Sequence, residues 1–178
     1  MLRIGDPMPT FSLPGVDDHT YSPEDFRDSE ILVVIFSCNH CPYVKAYEDR
    51  MIQIAKDYAD RGVQFVLINA NDPEQYPDDS FENMKIRARE KGYPFPYLFD
   101  ASQDVPRAFG AGRTPEVFVF DRDRRLRYRG AIDDAWDDPG AVKRAYLRET
   151  LDALLRGQEP PVTETPAVGC TIKWRRSG

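Results

Sequence analysis

The stretch Ile31-Leu32-Val33-Val34-Ile35-Phe36-Ser37-Cys38-Asn39-His40-Cys41-Pro42 decides how this chain reads. Its first six residues are continuously apolar and rich in β-branched side chains, the pattern of a strand buried on both faces of an α/β sheet. Beyond the cysteines, Val44, Tyr47, Met51, Ile54, Ala55 and Tyr58 recur at three- and four-residue steps. They mark one face of a helix from about Cys41 to Asp60. Arg61-Gly62 ends it, and Val63 to Asn69 reads as a second buried strand. Strand, helix and strand with short joints form a βαβ unit, so these two strands should be parallel.

Working outward, the segment Gly5 to Tyr21 carries Pro7, Pro9, Pro14 and Gly15, and reads as extended pieces with a hairpin around Val16-Asp17-Asp18. Ser22-Pro23-Glu24-Asp25 has the N-cap, N1 proline and first-turn acids of a short helix. After an acidic loop, Asn71 to Asp79, a helix is expected over Ser80 to Lys91, then a short strand Tyr97 to Phe99 and a short helix Gln103 to Phe109. Val117 to Phe120 and Leu126 to Arg129 flank a polar turn as an antiparallel hairpin, and Pro139 to Arg156 reads as one helix. The expectation is an α/β fold with a mixed sheet: a domain over 1–157, and a proline-containing tail, 158–178, packing on or near it.

Composition narrows the function. The chain has 178 residues, enough for one domain and one sizeable core. It is 41% apolar and 30% charged, unlike a disordered tail or a membrane protein. Twenty-four basic residues against thirty acidic ones leave a net charge of −6, which argues against a general nucleic-acid binder. Three cysteines are too few for a disulfide scaffold. The opening Met1 to Pro7 has no apolar core of a signal peptide, so the expected location is cytoplasmic. There a cysteine pair is more often catalytic, regulatory or metal-binding than structural.

Cys38 and Cys41 sit where the buried strand runs into the helix. Residues three apart on a helix are about 5–6 Å apart at Cβ, within reach of a disulfide. The pair can therefore exist as two thiols or as a small disulfide ring. Unpaired N–H groups and the partial positive charge of a helix start favour a thiolate, here expected on Cys38. Cys38 should be exposed and attack, while Cys41, one turn in, should be shielded and resolve the mixed disulfide. His40 between them can stabilise the Cys38 thiolate, or be a plain exposed loop residue. Two packed structural thiols, or half of a zinc site completed from Cys170 and the two histidines, are the rival readings. Pro42 stands where a c-type haem site would need histidine.

The segment Phe36 to Pro42 followed by a helix resembles the active-site segment of the thioredoxin-like superfamily. The opening Gly5-Asp6-Pro7-Met8-Pro9-Thr10-Phe11-Ser12-Leu13-Pro14 is similar to the start of its redoxin branch, the AhpC/TSA and TlpA-like proteins. Arg113-Thr114-Pro115-Glu116-Val117-Phe118-Val119-Phe120-Asp121 resembles that family's cis-proline loop and following strand. The resemblance implies a thioredoxin-like fold: a central mixed sheet flanked by helices, with an N-terminal extension and an inserted helix. It implies that Pro115 is cis beside the cysteines and that Thr114, with Asn39 nearby, meets an extended substrate. The Asn39-His40 dipeptide departs from the Gly-Pro of thioredoxin. Leu32 and Val33 occupy the stretch where thioredoxin keeps a buried acid, so the proton acceptor for Cys41 is unassigned; Glu116 is one candidate, or an exposed strand-end residue.

Cys170 is either a second resolving cysteine on a mobile tail or a buried thiol in a tail strand with Ile172 and Trp174. Asp133, Asp134, Asp137 and Asp138, and the arginines from Arg122 to Arg129, read as solvated faces. The function expected is a thiol–disulfide oxidoreductase acting on protein or small-molecule disulfides and thiols, with no cofactor, metal, nucleic acid or membrane involved. A peroxiredoxin-like thiol peroxidase and a non-catalytic redox-sensing module are the alternatives. The sequence leaves the oligomeric state open.

Overall fold

A computed structural model describes residues 2–176. Its five-stranded sheet contains β3 (Ile31–Ser37), β4 (Val63–Asn69), β5 (Tyr97–Phe99), β7 (Glu116–Phe120) and β8 (Leu126–Gly130). Across the sheet the order is β5-β4-β3-β7-β8. The β3–β4 and β4–β5 pairs are parallel, and the β3–β7 and β7–β8 pairs antiparallel. Every residue of the central strand β3 is buried, which is why its sequence is apolar without alternation.

Alternate residues of each strand feed opposite faces. Val33, Ile35, Val117 and Val119 meet α1 (Pro42–Tyr58), Met84 of α2 (Phe81–Lys91) and Leu147 and Leu151 of α4 (Tyr146–Leu155). Leu32, Val34, Phe36 and Phe118 face the other way, onto Phe109 of α3 (Asp104–Phe109), Phe11 and Phe26 of the N-terminal segment, and Ile172 of the tail. Before the sheet, β1 (Leu13–Pro14) and β2 (Thr20–Tyr21) pair antiparallel, and Pro23–Phe26 forms a 3-10 turn behind Ser22, closed by a capping box with Asp25. The tail's β9 (Cys170–Thr171) pairs antiparallel with β6 (Arg113–Thr114). Among the described residues, no helix is long and apolar enough to cross a membrane.

The expected helix over Pro139 to Arg156 is broken. Pro139–Ala141 is a 3-10 turn capped by Asp138, and Val142 turns extended at ψ 121°. The cause is local: the Asp134 side chain accepts the Lys143 N–H at 3.0 Å, and the Asp134 N–H bonds the Arg144 carbonyl at 3.2 Å. The regular helix starts only at Tyr146. One charge from each of two sets expected in solvent turns inward, while Asp134, Asp137, Asp138, Arg122 and Arg125 stay exposed. Asp133 is buried against Tyr47 Oη, 2.9 Å away, and Arg50. Arg129 is buried, bonding the Leu2 carbonyl at 2.8 Å, with its guanidinium 5.0 Å from the centre of the Phe118 ring.

Candidate active site

Pro42 fixes the geometry of the cysteine pair. It occupies the first helical position of α1, so Cys41 is the N-cap and Cys38 lies outside the helix. The positive end of the helix therefore acts first on Cys41. Its thiol is brought down to about 4, chiefly because the Cys38 S–H donates to it; a Cys170 S–H and the main-chain N–H groups of Val44 and Cys170 add to this against the cost of burial. Cys38 is raised well above the ordinary thiol range, first by donating to Cys41, then by burial, then by the Asp79 carboxylate. Cys170 is pushed up to about 11, by burial and by donating to Cys41. The helix start and the neighbouring S–H groups thus favour negative charge on Cys41.

The expected exposure of Cys38 is also corrected. Both Cys38 and Cys41 are 0% exposed, because the loop before Pro115 and the tail close over them. The Thr114–Pro115 peptide bond is cis. Thr114 Oγ1 lies 3.7 Å from Cys38 Sγ, and the Thr114 carbonyl 3.5 Å from Cys41 Sγ. All three cysteines are unlinked, with Cys170 Sγ 2.7 Å from Cys41 Sγ.

Of the four residues from Cys38 to Cys41, His40 alone reaches the surface. Its ring stacks on Tyr76 with 5.6 Å between centroids. Its Nδ1 lies 2.5 Å from Asp79 Oδ2, off the line of a good N–H···O bond. Asp79 is fully buried; it also accepts the Asn39 N–H at 2.7 Å and Asn71 Nδ2 at 2.9 Å. Cys38 Sγ, a His40 ring nitrogen and an Asp79 oxygen all lie within 4.8 Å of one another. Zinc takes these ligand types, but both Asp79 oxygens are already engaged.

Asn39 is buried, with Nδ2 donating to the Asp78 carbonyl at 2.9 Å and Oδ1 accepting from Tyr97 Oη at 2.7 Å. Glu116 is buried rather than exposed. Its Oε1 accepts the Gly112 and Arg113 N–H groups at 2.9 and 3.1 Å, and its Oε2 faces Arg129 at 3.3 Å. Asp79 and Glu48 are two buried acids that the sequence did not mark. Glu48, on α1, is bound by Arg87 Nε at 2.9 Å and Tyr93 Oη at 2.5 Å. Neither carried a sequence signal, because each looks like one more acid on a polar segment. Trp174 lies at the surface, with the Arg107 guanidinium 4.7 Å from the centre of its ring.

The Redoxin family model matches residues 3–145. Over 128 residues the chain is 22% identical to the thiol-disulfide oxidoreductase ResA of Geobacillus thermodenitrificans strain NG80-2, covering 71% of this chain and 68% of that one. A crystal structure of an uncharacterized conserved protein from Geobacillus kaustophilus is 44% identical, with TM-score 0.94, covering 100% of this chain and 95% of that chain. A hypothetical protein from Sinorhizobium meliloti 1021 is 38% identical, with TM-score 0.92, covering 99% and 97%.

Proposed function

Because the chain belongs to the Redoxin family and has a thioredoxin-like fold, we propose that it is a thiol–disulfide oxidoreductase working through Cys41 and Cys38. One observation carries the reading: two unlinked thiols at CxxC spacing lie at the start of α1, both within 3.7 Å of Thr114 in the loop before Pro115. The thiolate is the nucleophile of disulfide exchange. Cys41 Sγ attacks one sulfur of a substrate disulfide, and the substrate's S–S bond breaks to release a thiolate. Cys38 then attacks Cys41 in the mixed disulfide. The Cys38–Cys41 bond forms, the second substrate sulfur leaves, and the Cys38 proton passes to a departing thiolate. Both electrons come from the two protein sulfurs, so the step needs no cofactor.

Thr114 and Pro115 border the approach to the pair, and His40 with Asp79 sets the charge around Cys38. The substrates are disulfides or thiols of proteins or small molecules. A reducing, cytosolic setting suits a chain that keeps its cysteines for exchange rather than for structural links.

Insulin reduction with dithiothreitol as donor tests this. The native chain should accelerate it catalytically and Cys41→Ser should abolish the acceleration; an unchanged rate in Cys41→Ser overturns the reading. A low-pKa cysteine followed by proline also favours a second reading, thiol peroxidase, although Cys38 stands where such a site would carry threonine. Catalytic peroxide consumption without insulin reduction would select it. A reaction that stops after one equivalent would select the redox-sensing module instead.

A further inference from the structure

The edge of β6 nearest the cysteines is filled by the chain's own tail. Thr114 lies opposite Cys170 and Arg113 opposite Thr171 in an antiparallel ladder. This register brings Cys170 Sγ to within 2.7 Å of Cys41 Sγ, while Cys170 stays only partly buried. The tail is built into that position. Ile172 is 3% exposed, and its N–H bonds the Gly112 carbonyl at 3.0 Å. The Lys173 N–H bonds Asn71 Oδ1 at 2.8 Å, and its carbonyl accepts from the Asp72 N–H at 2.8 Å and Gln103 Nε2 at 3.0 Å. A Cβ on Gly169 would come to 2.1 Å from the Thr114 carbonyl oxygen, so the close approach of the two backbones needs glycine there.

An edge that holds one extended strand can hold another, main chain to main chain. The tail thus shows how a cysteine in an extended segment is delivered to Cys41. It also covers the sulfur that any outside substrate must reach.

Resting on the thiol–disulfide reading, we propose that Cys170 is a third redox cysteine, carried by a tail strand that occupies the docking edge for an extended, cysteine-bearing polypeptide. After a substrate has oxidised the pair, the Cys170 thiolate attacks Cys41. The Cys41–Cys170 bond forms and the Cys38–Cys41 bond breaks. Cys38 leaves as a thiolate and takes up the proton that Cys170 lost. No net oxidation occurs in this step; the disulfide changes partner, and the oxidised chain closes its own docking edge covalently.

The test is disulfide mapping by mass spectrometry after equilibration across graded glutathione redox buffers, on the native chain, Cys38→Ser, Cys170→Ser and Gly169→Val. Cys38→Ser should form a Cys41–Cys170 link as its main oxidised species. Finding Cys41 only free or bound to glutathione in that variant overturns the proposal. Cys170→Ser should still form Cys38–Cys41; failure there counts against the oxidoreductase reading itself and not against the tail. Gly169→Val overpacks the tail against Thr114 and should lower the Cys41–Cys170 population by about tenfold or more. An undiminished link in a folded Gly169→Val chain would mean that the β6–β9 register does not deliver Cys170, and would equally overturn the proposal.

Discussion

At the scale of single residues, the site depends on which sulfur holds a proton. Proline at the first helical position makes Cys41 the cap, so Cys41 receives the field of the helix and the two neighbouring S–H donors together. Cys41 interacts with both Cys38 and Cys170, so the three thiols titrate as a unit. The sign follows from the shifts. Cys41 is lowered to about 4 while Cys170 rises to about 11 and Cys38 goes well above its ordinary value. The reduced chain should therefore carry one thiolate on a plateau between these limits. Cys41 reactivity toward iodoacetamide should be level across that range and fall as pH drops through about 4. Thiolate ultraviolet absorbance that rises only near the ordinary thiol value would contradict this. Asp79→Asn keeps an acceptor for the Asn39 N–H but removes a charge beside Cys38. It should lower the Cys38 pKa, so that the second thiolate appears at lower pH in the same titration; an unmoved second step would show that Asp79 does not act on Cys38. Part of this was legible beforehand. Cys41-Pro42 in the sequence already marks the cap, because proline at N1 places the N-cap one residue earlier. Asp79 was not legible: it lies forty residues away along the chain, within an acidic loop, and only the fold turns its carboxylate onto the cysteines.

At the scale of elements, legibility followed the strength of the pattern. β3, β4, α1 and the β7–β8 hairpin each carry a run or a period that one local rule reads, and their bounds agree with the sequence to within a few residues. The failure over Pro139 to Arg156 has a physical cause. The apolar spacing there is helical, but Asp134 takes the Lys143 N–H that a continuous helix would use internally, as short polar side chains do when they compete with helix. Gly140 adds the weakness of glycine in a helix. Asp133 and Arg129 were misread for a related reason. A charge in a loop or a hairpin looks solvated unless its partner is known, and the partners, Arg50 and Glu116, come from other elements. β9 is two residues long and has no pattern of its own; pairing with β6 makes it a strand.

At the scale of the whole molecule, the centre of the sheet and the tail packed on one side of it are held differently, and this bears on whether the tail can move. Phe118 is fully buried in an aromatic cluster with Phe36 and Phe109, centroids 5.7 and 5.3 Å away, in the middle of the sheet. Ile172 reaches the same side of the core from the chain's end. Truncating either removes apolar contact, about 3–5 kcal/mol for a buried Phe and about 2–5 kcal/mol for a buried Ile, if the whole chain must unfold to relieve the loss. A terminal strap can instead come away by itself, and its loss is then limited to the free energy that held it. Phe118→Ala should therefore lower global stability by about 3–5 kcal/mol in denaturant unfolding. Ile172→Ala should lower it by clearly less. It should instead speed hydrogen exchange at the amides the tail secures, Ile172, Lys173 and Asp72, while leaving the β3–β7 ladder protected. That outcome would mean the tail opens as a local unit and can yield the β6 edge to a substrate without loss of the fold. Equal destabilisation by both substitutions, with exchange faster everywhere, would mean that the tail belongs to the single cooperative core. Cys41 would then be reached only through global unfolding, which is incompatible with rapid exchange at a working active site.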